Sequence, residues 1–144
     1  MIDVVGLRHV GIIVSDIYKS RDFYRDFFDF SEIQDFWDDS AYINKITGTV
    51  DARVHMIKLR SKTGFVLELL DYETHPTSRL RVPIYNIGLC HLALQVADVD
   101  EAFERLSKAG VRFLSEPTES SEGIAKVCFC LDPDDTRLEL VEIH

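Results

Sequence analysis

Hydrophobic and polar positions alternate along Leu7–Val14, with Val10, Ile12 and Val14 on one face, and change to helical spacing after Asp16. The same change recurs over Leu89–Val99. Laid over each other without a gap, the two stretches match His9 with His91, Val14 with Val96, Asp16 with Asp98 and Ile17 with Val99. A strand bearing a histidine and leading through an aspartate into a helix occurs twice in one short chain, which is the signature of an internal repeat.

The pattern continues in step. Ser15 or Asp16 caps a helix expected over Ile17–Phe28, with Ile17, Tyr24, Phe27 and Phe28 turned inward. Strands are expected over Phe30–Trp37, Val54–Leu59 and Phe65–Leu70, the last two joined by a turn at Ser61–Gly64. Asp38–Asp51 shows no clear period and reads as a loop. After a polar linker at 72–86 containing Pro76 and Pro83, the pattern restarts with the His91 strand. A helix follows around Val99, Ala102, Phe103 and Leu106, closed by Gly110, and then strands at Val111–Leu114, Ala125–Leu131 and Arg137–Ile143, with Glu116–Gly123 as a loop. The fold class is therefore α+β: one domain over 1–144, made of two tandem β-α-β-β-β modules, about 5–71 and 87–144. Each is expected to form a curved, antiparallel or mixed sheet with one helix, and together they are expected to form a metal-binding cleft.

The last strands also match. Val66-Leu67-Glu68-Leu69-Leu70 corresponds to Arg137-Leu138-Glu139-Leu140-Val141, each with a Glu between two leucines. Because side chains alternate across a strand, each Glu faces away from the leucines that pack on the helix. His9 and His91 face away from their strands' apolar residues in the same way. Two imidazoles and two carboxylates are thus expected on the face the helices leave bare. His9, Glu68, His91 and Glu139 form a nitrogen and oxygen donor set suited to a divalent ion such as Ni, Zn, Co, Mn or Fe. Without a cation, two converging carboxylates repel.

Composition narrows the partners. The chain has 144 residues, 46% hydrophobic, with a formal net charge of −9. A clustered basic surface for nucleic acid is not expected. No apolar run reaches membrane-spanning length, and the start lacks a secretory pattern. Cys90, Cys128 and Cys130 lie in apolar runs with no disulfide framework and read as reduced thiols in a cytoplasmic protein.

The paired modules and the His9, Glu68, His91, Glu139 set resemble the vicinal oxygen chelate superfamily, which includes glyoxalase I, methylmalonyl-CoA epimerase, extradiol dioxygenases and fosfomycin and bleomycin resistance proteins. The four-donor set is similar to the glyoxalase I and epimerase branch. That resemblance implies a metal-dependent isomerase, epimerase or lyase that moves a proton alpha to a carbonyl, acting on a small carbonyl or thioester substrate, with Glu139 or Glu68 as the base. In the epimerases a separate acid precedes the third strand, a place that Asp51 occupies here. An extradiol-type dioxygenase and a metal-free drug-binding protein are the alternatives. A homodimer is expected, because eight short strands leave edges to cover. Trp37 and Tyr42 are candidates to wall a pocket. Arg53, Arg79 and Arg81 are candidates to hold a glutathione carboxylate or CoA phosphate. His55 lies in a strand without a counterpart in the repeat.

Overall fold

The computed structural model describes residues 1–79 and 81–144. The chain divides into two compact units, Met1–Ser78 and Arg79–His144.

The first unit runs β1 (Val10–Ile13), α1 (Ile17–Phe28), β2 (Ser31–Asp38), α2 (Ala41–Thr47), β3 (Val54–Arg60) and β4 (Val66–Tyr72). Its sheet has the order β1-β4-β3-β2. β2, β3 and β4 are antiparallel neighbours, but β1 lies parallel to β4, so the sheet is mixed. The cause is directional: α1 carries the chain back so that β2 runs with β1, and two reversals later β4 runs that way again. The Asp16 carboxylate caps α1 by accepting from the Lys19 amide at 3.0 Å. Ile17, Phe23 and Tyr24 of α1 are buried, as are Ile57, Leu59, Leu67 and Leu69 on the sheet face it covers. Truncating any of these leucines to Ala is expected to cost about 2–5 kcal/mol. Phe27, expected inward, is 38% exposed, while Phe23 takes the interior place beside Tyr24.

Two differences from the sequence pattern matter for the site. Residues 41–47, expected as loop, form the helix α2, ended by Gly48 in a left-handed conformation at φ 71°. Ile43, its one buried residue, packs with Ala52, Val54 and Met56 and against Phe36, Leu70 and Tyr72. By strand alternation these sheet residues share a side with Glu68, opposite α1, so α2 covers one end of the face expected to be bare.

The second unit runs β5 (Leu92–Gln95), α3 (Val99–Lys108), β6 (Thr118–Glu119), β7 (Ala125–Leu131) and β8 (Arg137–Ile143), in the order β5-β8-β7-β6. β5 is parallel to β8 and the remaining pairs are antiparallel. Asp98 caps α3 through the Glu101 amide at 2.8 Å, as Asp16 caps α1. Val99 and Leu106 of α3 are buried, as are Cys128, Cys130, Leu138 and Leu140 on the sheet. The strand expected at Val111–Leu114 reduces to a single bridge between Phe113 and Cys130, and pairing resumes two residues long at Thr118–Glu119 within the expected loop. Pro117 separates them; it has no amide hydrogen to give a ladder. All three cysteines are free. No helix among the described residues is long and apolar enough to cross a membrane.

Candidate functional site

β1 and β4 pair so that Gly11 lies beside Glu68. His9 immediately precedes β1, two residues back and on the same side. Its Nε2 stands 3.4 Å from Glu68 Oε2. A Cβ at Gly11 would lie 3.2 Å from the Leu70 side chain and 3.7 Å from Glu68 Oε2, so the missing side chain leaves room where the carboxylate turns toward the imidazole. In the second unit Ala93 lies beside Glu139, and His91 Nε2 stands 3.1 Å from Glu139 Oε2. The repeated sequence thus yields the same imidazole–carboxylate pair twice, by the same register.

The neighbours differ. β3 places Lys58 across from Glu68, and its ammonium is 3.3 Å from Oε1, the oxygen His9 does not face. In β7 that place belongs to Phe129, whose ring stands edge-on to His91 at 5.2 Å. The Glu68 side chain is 12% exposed and Glu139 is 23% exposed.

Each pair, taken by itself, has the spacing of two adjacent ligands of an ion. Two donors about 2.1 Å from a divalent cation and roughly 90–110° apart are separated by about 3.0–3.4 Å, and the two observed separations are 3.4 and 3.1 Å. Each pair offers one nitrogen and one carboxylate oxygen, a donor set for a borderline divalent metal. Among the described residues, no group of three or more His, Cys, Asp or Glu stands together as a metal-binding cluster.

The other sequence candidates fall elsewhere. Asp51 is exposed, in a left-handed conformation at φ 53°, three residues before β3 begins at Val54. Glu68 lies opposite Lys58, four residues farther along that strand, a span of about 13 Å. Trp37 is on the α1 side of the sheet, stacked on His55 at 4.3 Å, and Tyr42 is 64% exposed on α2. His55 is buried, its Nε2 is 2.6 Å from Asp35, and Tyr18 packs edge-on at 5.4 Å. Arg53, Arg79 and Arg81 are engaged with Glu73, Asp134 and Asp135 at 2.7, 3.1 and 3.8 Å. Sequence reasoning did not single out Arg8, Lys58 or Arg60. The signal was present in the alternation of Lys58 and Arg60 with the buried Ile57 and Leu59, once β3 is set in register against Glu68.

A family model described as the Glyoxalase/Bleomycin resistance protein/Dioxygenase superfamily matches residues 6–140. A 2-epi-5-epi-valiolone epimerase from Actinomyces sp. is 31% identical over 126 residues, covering 83% of this chain and 67% of the relative. A glyoxalase family protein from Bacillus cereus superposes with a TM-score of 0.86 at 20% identity, covering 98% of this chain and 95% of the other. The fosfomycin resistance protein FosX from Listeria monocytogenes, crystallised with Mn(II) and sulfate, superposes at 0.66 with 22% identity, covering 99% and 95%.

Proposed function

Since the chain belongs to the glyoxalase/bleomycin resistance protein/dioxygenase superfamily, we propose that it is a divalent-metal-dependent isomerase, epimerase or lyase that moves a proton alpha to a carbonyl group. The observation that carries this reading is the second copy of the His–Glu pair, because a simple Lewis-acid site can manage with three protein donors. Similarity to an epimerase supports the same branch.

His9, Glu68, His91 and Glu139 would hold the ion. When bound, it supplies Lewis-acid stabilisation of negative charge developing on a carbonyl oxygen. The proton is moved by a carboxylate, and the two differ in readiness. Glu68 is held at one oxygen by His9 and at the other by Lys58. Glu139 faces His91 through one oxygen, and among the described residues no Lys or Arg pairs with the other. Glu139 is therefore assigned as the base, and Glu68 as the fixed donor. The substrate is a small molecule with an acidic C–H beside a ketone, thioester or hemithioacetal carbon.

The test is metal content together with deuterium wash-in. Purified protein should hold one divalent ion per chain, and His9→Ala and His91→Ala should each lose it while keeping the wild-type circular dichroism spectrum. Candidate thioesters and hemithioacetals should gain deuterium from D2O in the presence of the metal-loaded protein. A wild-type protein that takes up no divalent metal, or turnover that consumes molecular oxygen, would overturn the reading in favour of a binding protein or a dioxygenase respectively.

A further inference from the structure

The bare end of the first unit's site face carries positive charge that the protein does not use. A cavity of about 320 Å³ there is lined by Arg8, His9, Gln34, Lys58, Arg60 and Val66, together with Ile33, a volume in the range of small-ligand sites. The chain has ten arginines among 25 carboxylates. Seven of them pair with an Asp or Glu, and Arg137 donates to the Val82 carbonyl. The two left without a carboxylate or other hydrogen-bond partner among the described residues are Arg8 and Arg60, and both line this cavity. Solvation satisfies an exposed arginine anywhere on a surface. It does not explain why both unpaired guanidinium groups of so acidic a chain line one cavity, together with Lys58 and His9.

We propose that this cavity recognises an anionic group of the substrate, a carboxylate or a phosphate, through the guanidinium groups of Arg8 and Arg60, with the charge of Lys58 in the same lining. Guanidinium forks match both anions with paired hydrogen bonds. Converging cations in a concave site also raise the local concentration of an anion against the chain's overall negative charge. The second unit has no such set: Arg8, Lys58 and Arg60 correspond to Cys90, Phe129 and Leu131, and Arg137, in the place of Val66, donates to the Val82 carbonyl. The anionic end of the substrate therefore belongs to the first unit. This inference rests on the proposed reaction only in treating the anion as part of a substrate; the anion site itself stands on the side chains present.

The experiment uses metal-stripped full-length protein, titrated with inorganic phosphate and with acetate by calorimetry. Wild type should bind at least one of them, and the tighter names the class. Arg8→Gln and Arg60→Gln should each weaken binding about tenfold, and the double variant should bind neither. Arg105→Gln, which removes the same charge from the exposed face of α3, should leave binding unchanged. Absence of binding to wild type, equal binding by the double variant, or an equal loss in Arg105→Gln would overturn the proposal. Metal failure with phosphate binding intact would sink the proposed reaction and leave the anion site standing.

Discussion

At the place that faces the paired glutamate, the first unit has Lys58 and the second has Phe129. Everything that sets the His–Glu geometry is held in common: a parallel first and last strand, a glycine or alanine beside the Glu, and a helix capped by aspartate. Everything around it has diverged, from Arg8 to Cys90 and from Arg60 to Leu131. The repeat thus keeps two matched His–Glu pairs while giving the glutamates unlike neighbours, Lys58 in one unit and Phe129 in the other. On the proposed reading, matched pairs need not do the same chemistry, and the unlike neighbours are what would let one carboxylate stay fixed while the other moves a proton.

The largest effect should come from setting the two carboxylates against each other. Gln keeps the shape and a coordinating oxygen of Glu but removes its basicity. Glu139→Gln should lose at least about 10²-fold in turnover, the usual scale of general-base catalysis, with metal still bound. Glu68→Gln should lose much less. Steady-state rates of both variants, with metal content measured alongside, decide it; a greater loss in Glu68→Gln would reverse the assignment.

A smaller effect isolates Lys58. If its ammonium is what keeps Glu68 from serving as base, Lys58→Met in the Glu139→Gln background frees Glu68 to substitute in part. Turnover should recover about tenfold over Glu139→Gln alone, against the general expectation that a second lesion in a site lowers the rate further. No recovery, in a double variant that retains metal, would mean that Lys58 does not set the choice of base.

The same contrast shows what the sequence disclosed. The two His–Glu pairs were legible because strand alternation is a local rule and both repeats obey it. The polar character of one half was hidden, since Lys58 reaches Glu68 only through the β3–β4 register, which is not a local property. α2 was missed because seven residues with a single buried position, Ile43, make no period, although Ser40 before it and Gly48 after it are boundary residues. Trp37 and Arg53 looked available for a ligand because neither the Trp37–His55 stack nor the Arg53–Glu73 pair can be seen without the strand pairing.

The cores differ as well, with a consequence for stability in base. Setting Phe129 against Lys58 puts Cys128 and Cys130 where the first unit has Ile57 and Leu59, so at these two positions one core is aliphatic and the other carries two ionisable thiols with no exposed surface. Burial pushes the Cys128 thiol from 9.0 up to about 11 and the Cys130 thiol up to about 12. Unfolding releases both to titrate near their ordinary value. Above about pH 9 the unfolded chain therefore binds fewer protons than the native one, and stability falls as pH rises until the buried thiols ionise in turn. The slope is at most about 1.4 kcal/mol per pH unit for each thiol. Urea midpoints should drop between pH 8 and pH 10 in the wild type. The drop should shrink in the Cys128→Val, Cys130→Val double variant, which puts aliphatic side chains at these two positions as in the first unit. Equal pH slopes in the two proteins would show that the alkaline loss, if present, arises outside this core.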